Sequence, residues 1–558
     1  MSTYSDLKGA IETTVYSTAA DLPLTGVSGG AQAYVTETNR LYLWNGSGWY
    51  NIALINTAPT ITTEAAGSYT LAKDGTATVI TLVATDPEGV PITWSHSVTT
   101  GSLGSTAVVT QSANVFTVTP SSTEADAGTF SLTFTASDGI NVATSTSAFT
   151  LSFGFSGTQT YKLYNPTPSS SDKFAVVTAV SSDYIVTSAY NILNAEKVYI
   201  YDRADASLLY TITLSYRSSG QTLSIDGDIL VVGGTPSGYS LSGKVFVYDI
   251  STFSSTAISS PNYTLVNPDP DNYYDQFDAF GLHGLAVSGD YIAVSAATAG
   301  HSSTTGDTYS GETYVYKIST FSTSTPSPWR TLLNPNAVGT ATQDQFGQTI
   351  ALEGNNLLVG TTMEDSPHET AGIVYYYDIS TWGSGNPTPT YTVANPNADG
   401  TTNTSDYFSV SLVISGSKWA AAATYEDENG TSSGSVYIFN VSGGALVHRI
   451  DGPSTYPRYL FGRSLALDGN NLISSSSDSN TGQEKWLHRY DISALSGSTT
   501  TATTSDSGTI TNPGAADNQW PGRITFKDDM LVTGAQYDDN TNASGGTHSN
   551  SGVVYVFE

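Results

Sequence analysis

Cysteine is absent from all 558 residues of the chain. Disulfide bridges, thiolate metal sites and cysteine nucleophiles are therefore excluded. The sequence also contains no apolar run of the roughly 18 residues that a membrane-spanning helix needs. Its first residues, Met1 to Lys8, have neither the basic nor the apolar region of a cleaved secretion signal. We therefore expect a protein that is made in a cytosol, is not exported by a cleaved signal and does not insert into a membrane.

Basic residues are scarce as well. The chain has 19 lysines and arginines against 49 aspartates and glutamates, which gives a formal net charge of -30. No basic stripe is present that would neutralise a phosphate backbone, so we expect no nucleic-acid partner. The acidic charge is compatible with solubility in salty water, with cation binding or with attraction to a basic surface, and the sequence leaves these three readings open.

Tyrosine and glycine, by contrast, are abundant, with 35 and 52 residues. Short runs in which apolar and polar side chains alternate recur along the chain, which predicts an all-β fold with many loops. Residues 1–57 are predicted to form a small N-terminal leader. In that leader two such runs, 41–44 and 49–50, flank Asn45-Gly46, a strong signal for a β-hairpin.

Residues 58–153 show short strand patterns at a steady spacing, as in a β-sandwich. The turn motifs Asp86-Pro87-Glu88-Gly89 and Ala136-Ser137-Asp138-Gly139 resemble those of Ig/cadherin-like modules. This resemblance implies a spacer domain that calcium sometimes makes rigid. Carboxylate oxygens are suitable calcium ligands, so Asp86, Glu88 and Asp138 are the candidate calcium ligands, with plain turn formation as the alternative.

The remainder of the chain, residues 157–558, repeats itself every 50 to 65 residues or so. In one copy the predicted strands are 346–352, 357–360, 373–378 and 391–396, with a tight turn at Glu353 to Asn356. The third strand, which is rich in valine and tyrosine, occurs in seven copies. The pattern predicts a seven-bladed β-propeller with four strands in each blade.

The last copy of the repeat has no fourth strand, because the chain ends at Phe557-Glu558. The segment from Thr160 to Pro166, which precedes the first copy, matches the pattern of the fourth strand, as in Tyr263 to Pro268. A strand donated from the start of the region to the last blade closes a ring and leaves no long free edge. We therefore expect this closure, which is often called velcro closure.

The repeats resemble FG-GAP repeats. The resemblance rests on the Phe346-Gly347 opening, the Gly354-Asn355 turn and the third strand of the form Gly-x-Val-Tyr-x-Tyr, and it extends over about 400 residues. Blades of integrin type often bind calcium through an Asp-x-Asp-x-Asp-Gly loop, and this sequence has no complete loop of that kind. The resemblance therefore implies the propeller fold but not the metal site of those blades.

The propeller topology predicts where a ligand binds. Because the chain reverses direction at each strand, the loops between second and third strands lie on the same face as the connections between blades. These segments are the long, irregular ones. They contain aromatic residues among acids and amides, a mixture suited to stacking on sugar rings or docking a protein. The candidate ligand-binding residues are Tyr273, Tyr274, Tyr407, Tyr456, Tyr459 and Trp520.

Signals for catalysis are weak. Gly26-Val27-Ser28-Gly29-Gly30 fits the Gly-x-Ser-x-Gly pattern, but it lies in a glycine-rich connection without a strand-to-helix turn that strains the serine. The seven histidines are scattered, and none has metal-ligand spacing. We therefore expect a protein that is not an enzyme, although a polysaccharide-degrading enzyme with paired carboxylates is a less favoured alternative.

The leader from Leu41 to Tyr50, followed by Asn56-Thr57-Ala58-Pro59, resembles the start of structural proteins of tailed phages that infect marine cyanobacteria. The resemblance implies a virion protein, a tail fibre or similar appendage, whose leader binds other virion proteins and whose propeller contacts a host surface glycan or protein. A homo-oligomer fits this role. The alternative is a decoration or connector protein of the virion that binds no receptor.

Overall fold

The computed structural model describes residues 13–558 apart from a set of short gaps. The gaps are residues 39, 53–55, 73–74, 88, 124–125, 152–154, 156, 169–171, 191–195, 215–221, 235–242, 270–277, 300–308, 337–343, 366–369, 398–405, 453–459, 479–482, 496–497, 502–508, 512, 514–520, 539, 542–546 and 549–550. The chain divides into two compact units, Met1–Gly154 and Phe155–Glu558.

Strands dominate both units. In the described part of the chain, helix is limited to single 3-10 turns at Ala19–Asp21, Ile250–Thr252, Ile318–Thr320 and Ile379–Thr381. The predicted all-β class is confirmed.

The first unit begins with a four-stranded sheet. Its strands are β1 (Thr13–Tyr16), β2 (Gln32–Val35), β3 (Arg40–Trp44) and β4 (Trp49–Ile52). Strands β1 and β2 are parallel, whereas β2, β3 and β4 are antiparallel neighbours. The β3–β4 hairpin turns at Asn45, whose Oδ1 accepts the backbone N–H groups of Ser47 at 2.9 Å and Gly48 at 2.8 Å. The side-chain amide thus stabilises the turn that the Asn-Gly pair predicts.

The rest of the first unit contains nine strands in three sheets, counted over its described residues. They are β5 (Thr60–Thr63), β6 (Ser68–Thr70), β7 (Thr78–Thr81), β8 (Val83–Thr85), β9 (Thr93–Gly101), β10 (Ala107–Ser112), β11 (Val115–Pro120), β12 (Gly128–Ser137) and β13 (Val142–Leu151). The sheets β10-β11-β7 and β6-β13-β12-β9 contribute to one apolar core. Phe116 from the first sheet lies 4.7 Å from Phe134 of the second, measured between ring centroids. Burial alternates along β12, as expected for a strand with one face in a core.

The second unit is built from seven sheets of at least four strands each, among the residues that the structure describes. In the first six sheets the first four strands follow one another from one edge of the sheet outward. The first three sheets are β15 (Phe174–Val180), β16 (Tyr184–Ala189), β17 (Lys197–Asp202), β18 (Leu208–Thr213); β19 (Thr222–Asp226), β20 (Ile229–Gly234), β21 (Lys244–Asp249), β23 (Tyr263–Val266); and β24 (Leu285–Ser288), β25 (Tyr291–Ala296), β26 (Glu312–Lys317), β27 (Arg330–Leu333).

The next three sheets repeat this order. They are β28 (Thr349–Glu353), β29 (Asn356–Thr361), β30 (Ile373–Asp378), β31 (Tyr391–Ala394); β32 (Phe408–Ser415), β33 (Lys418–Ala423), β34 (Ser435–Asn440), β35 (Leu446–Asp451); and β36 (Leu465–Asp468), β37 (Asn471–Asp478), β38 (Gln483–Asp491), β40 (Ile510–Thr511). Two short strands extend neighbouring sheets in parallel, β22 (Ala257–Ile258) beside β18 and β39 (Thr499–Thr501) beside β35. A separate two-stranded ladder joins β43 (Asn540–Thr541) to β44 (Thr547–His548).

The seventh sheet joins the two ends of the second unit. It consists of β41 (Ile524–Lys527), β42 (Met530–Ala535), β45 (Val553–Phe557) and β14 (Gln159–Tyr164), with β14 beside β45. The two strands are antiparallel, and the register pairs Tyr161 with Val556 and Leu163 with Val554. A strand from the start of the unit therefore takes the outer position of its last sheet.

Successive sheets pack on one another through apolar clusters. One cluster lies between each sheet and the next, and a further one lies between the seventh sheet and the first. In the cluster between the seventh and first sheets, Leu163 and Val554 pack with Phe174 and Tyr199. The first strands of all seven sheets line a common cavity of about 580 Å³. The second unit is therefore propeller-like.

Candidate functional site

The loops after each second strand and the connections between sheets lie on the same side of the second unit, because neighbouring strands in each sheet are antiparallel. We call this side the loop side, and the side with the first-to-second turns the turn side. Of the six aromatic candidates, only Tyr407 belongs to the described residues. Those that lie outside them are Tyr273, Tyr274, Tyr456, Tyr459 and Trp520.

Tyr407 forms an aromatic pair with Tyr425 on the loop side. The ring centroids are 5.1 Å apart and the ring planes are inclined by 56°. Tyr407 is half-buried in the connection between the fourth and fifth sheets, and Tyr425 follows β33 with 42% of its surface exposed. The backbone N–H of Tyr407 donates to the Thr370 carbonyl at 3.1 Å. The pair is thus held at a point where three segments of the loop side meet.

A buried layer of asparagine–aspartate pairs lies beneath the loop side. In each pair the asparagine follows a fourth strand, and its Nδ2 donates to an aspartate located two residues before the phenylalanine that opens the next sheet. The distances are 3.2 Å for Asn165–Asp172, 2.6 Å for Asn267–Asp278, 2.8 Å for Asn334–Asp344 and 3.0 Å for Asn395–Asp406. Each pair joins the two ends of a connection between sheets and satisfies two buried polar side chains.

The asparagines also shape the start of each connection. The Oδ1 atom of Asn395 accepts the backbone N–H of Asn397 at 3.0 Å, and Asn334 makes the same contact with Asn336 at 2.9 Å. This is the local side-chain turn that asparagine favours. The sequence analysis did not identify this layer, although its signal is visible as Asn-Pro after the fourth strand and Asp-x-Phe before the next sheet.

Buried acids hydrogen-bonded to tyrosines complete the polar layer. The Tyr437 hydroxyl donates to both carboxylate oxygens of Glu426, at 2.8 and 2.7 Å, and the Tyr555 hydroxyl donates to Asp538 at 2.7 Å. Burial raises the pKa of Glu426 to about 7, and the nearby charge of Asp406 adds to the effect. Only 1% of Glu426 is exposed, so this carboxyl supports the loops from below.

The candidate calcium ligands of the first unit form hydrogen bonds in turns. One oxygen of Asp138 accepts the N–H groups of Ile140 and Asn141, both at 2.7 Å, and one of Asp86 accepts the N–H of Val90 at 2.8 Å. Glu88 lies outside the described residues. Within the described ranges, no three carboxylates or histidines are grouped as a metal site requires. Calcium binding by Asp86, Glu88 and Asp138 stays a prediction.

Ser28, the serine of the Gly-x-Ser-x-Gly match, lies in a turn in which its carbonyl accepts the N–H of Ala31 at 3.1 Å. His488 is fully buried and lies 3.1 Å from the hydroxyl of Ser476, measured from its Nε2. These contacts belong to a turn and to a packed sheet.

In the described part of the chain, no helix has both the length and the apolar character that crossing a membrane requires.

No protein-family model and no curated protein matches the chain. Among solved structures, a chain in the crystal structure of the mitotic checkpoint complex is 14% identical, with a TM-score of 0.39 over 73% of this chain and 93% of that one. A quinoprotein alcohol dehydrogenase-like protein from Bacteroides thetaiotaomicron is 11% identical, with a TM-score of 0.32 over 78% of this chain and 95% of that one. Both neighbours are propeller-like, and similarity at this level says nothing about activity or partners.

Proposed function

We propose that this protein is a structural component of a phage virion, a tail fibre or similar appendage, whose second unit is a seven-bladed, FG-GAP-like β-propeller that attaches to the host surface. The observation that carries the proposal is the Tyr407–Tyr425 pair on the loop side. Two aromatic rings supported from below offer a large contact area that loses little conformational freedom on binding, as in surfaces that dock sugars or proteins.

The cyclic packing of the sheets supports the propeller. The apolar cluster between the seventh and first sheets, together with the pairing of β14 with β45, is what closure of a seven-bladed ring requires. Closure holds the seven sheets in fixed positions, and it leaves the loop side free to vary without loss of the core. The proposal assigns receptor contact to that side.

The first unit supplies the remaining parts of the proposal. Residues 1–57 bind other virion proteins, and residues 58–153, an Ig/cadherin-like sandwich, space the propeller from the particle. The core shared by two of its sheets supports the sandwich. The role of the leader rests on its sequence resemblance to phage structural proteins.

Binding of the labelled full-length chain to cyanobacterial cells tests attachment. We expect saturable binding that the double variant Tyr407→Ala/Tyr425→Ala loses, because the aromatic platform is removed. The matched control is Tyr50→Ala, which removes an aromatic side chain of the first unit that is 61% exposed. Equal binding by both variants contradicts the proposed contact surface.

Position in the virion separates attachment from decoration. Antibodies against the second unit, applied to purified particles, are expected to label the distal end of the tail or its fibres. Labelling spread over the capsid, together with absent cell binding, identifies a decoration protein without a receptor instead.

A further inference from the structure

The cavity between the seven sheets has two chemically different ends. Its larger part, about 580 Å³, is lined by the beginnings of the first strands and therefore opens toward the loop side. A smaller pocket of about 260 Å³ is lined by the ends of the same strands. There the side chains are mostly apolar, including Val180, Ile225, Leu352 and Phe526.

Among the described residues, the charged and titratable side chains in the larger part of the cavity are basic. Arg463, Arg523 and His283 line it, and no aspartate or glutamate is among the described residues that do so. All three side chains are exposed to the solvent of the cavity. The chain as a whole has 49 acidic and only 19 basic residues, so two arginines and a histidine in one cavity are a marked local reversal of charge.

The three residues occupy matching places in the repeat. Arg463 and His283 each lie two residues before the first residue of a first strand, and Arg523 lies directly before one. The sheets that carry them are the third, sixth and seventh, so the basic groups come together only through the cyclic arrangement.

The surroundings of the cavity are unfavourable to these positive charges. Water in the cavity reaches these side chains, but the surrounding sheets still remove much of their hydration. This desolvation lowers the pKa of Arg523, and desolvation followed by the charge of Arg523 lowers the pKa of His283. The two groups are therefore close enough to repel one another when both are charged. An anion between them offsets both the lost hydration and the repulsion.

The neighbouring hydroxyl groups are largely engaged within the protein. The Ser464 hydroxyl accepts the Ile524 N–H at 3.1 Å, and the Thr349 hydroxyl donates to the Ser409 carbonyl at 2.7 Å. These bonds hold the first strands to one another and fix the positions from which the basic side chains extend. Arg463, Arg523 and His283 are the basic side chains among the described residues that line the space.

We propose that this cavity is a binding site for a small molecule that carries an oxyanion group, a carboxylate, sulfate or phosphate, held by Arg463 and Arg523 with His283 beside it. Guanidinium groups bind such oxyanions through paired hydrogen bonds. A volume of about 580 Å³ is within the range of small-molecule sites. The inference does not depend on the role of the protein in a virion.

Isothermal titration calorimetry of the full-length protein tests the site, with sodium sulfate, sodium phosphate, glucuronate and glucose as probes in chloride buffer of constant ionic strength. We expect saturable binding of at least one anionic probe at one site per chain, and none of glucose. Tighter binding of glucuronate than of the inorganic ions by tenfold or more points to an acidic sugar. The reverse order points to a free inorganic anion.

Variants locate the binding. Arg523→Gln and Arg463→Gln are each expected to weaken it tenfold or more, whereas Arg40→Gln, which removes an exposed arginine from the first unit, leaves it unchanged. Arg523→Lys keeps the charge and is expected to bind more weakly than the parent but more tightly than Arg523→Gln, which separates loss of the site from loss of folding. Absence of saturable binding by all three anions, or equal binding by the parent and both glutamine variants, overturns the proposal.

Discussion

The two sides of the second unit differ in regularity. On the turn side, the first and second strands are joined in five sheets by a two-residue turn whose first residue is a glycine with positive φ: Gly227, Gly289, Gly354, Gly416 and Gly469. On the loop side, the segments between second and third strands differ in length, from four residues (479–482) to 17 residues (536–552). The same strands and clusters thus support one uniform side and one variable side, and the variable side is where a binding function can change without altering the core.

The largest expected effect on stability comes from a substitution in β14, the strand that completes the seventh sheet. Leu163 in β14 is 7% exposed and packs in the cluster between the seventh and first sheets. Leu163→Asp places a carboxylate in that cluster and is expected to lower the free energy of unfolding by about 3–5 kcal/mol. Urea unfolding measures the change. Leu208→Asp, at a residue 42% exposed on the fourth strand of the first sheet, is the control, and a loss as large there argues against a special role for β14.

The buried carboxyl of Glu426, in the polar layer beneath the loop side, predicts that the stability of the protein depends on pH. The pKa of Glu426 is raised from 4.5 to about 7 in the folded protein, so the unfolded chain releases this proton at lower pH than the folded one. The free energy of unfolding should therefore fall as pH rises from 4.5 to 7, by about 3 kcal/mol from this group, and stay level above that range.

Glu426→Gln is expected to flatten that part of the stability profile, since glutamine keeps an acceptor for Tyr437 but does not ionise. Glu353→Gln, whose parent carboxylate accepts the Gly416 N–H at 2.7 Å on the turn side, is the matched change. Profiles of thermal unfolding between pH 4 and 8 compare the two variants. If both lose the same slope, the layer beneath the loops is not its source.

A substitution in one of the turns between first and second strands is expected to have a smaller effect on stability. Gly354 has a φ of +55°, and no atom lies within 4 Å of a Cβ placed there. Gly354→Val is therefore expected to destabilise the protein through backbone strain alone, by about 1–2 kcal/mol. Gly385→Val, at a glycine with equal space and no positive φ, should change the unfolding midpoint much less. Equal losses would mean that the turn conformation is not limiting.

The smallest effect on stability is expected where function is proposed. Removing both rings in Tyr407→Ala/Tyr425→Ala should lower the free energy of unfolding by only about 1 kcal/mol, the value of the contact between the two rings, while cell binding is lost. Denaturant unfolding of the double variant checks this. A loss of several kcal/mol would place the rings in the core instead of on a contact surface.

The positions of the strands could be predicted because they depend on the alternation of side chains among neighbouring residues. The alternation in 373–378 predicted a third strand there, and β30 spans Ile373–Asp378. The all-β class followed from the same periodicity. These features need only neighbouring residues, which the sequence shows directly.

The residues of the candidate site were harder to predict from the sequence than the strands, because the site forms where segments that are distant in sequence meet. Tyr407 was identified as a candidate, but its partner Tyr425 was not, since 18 positions of sequence separate residues that lie 5.1 Å apart. The basic residues of the cavity could not be predicted for the same reason. Arg463 and Arg523 resemble ordinary residues at strand starts, and only the packing of seven sheets around one space brings them together.

Hydrogen exchange of a protein that lacks residues 157–168 tests the central claim, that β14 completes the last sheet and closes the second unit. With β14 gone, the amides of Val553–Phe557 lose their outer partner strand and the cluster behind them loses Leu163. The account predicts much faster exchange in 553–557 and in the first sheet, together with a lower melting temperature. Unchanged exchange and melting in the shortened protein would contradict it.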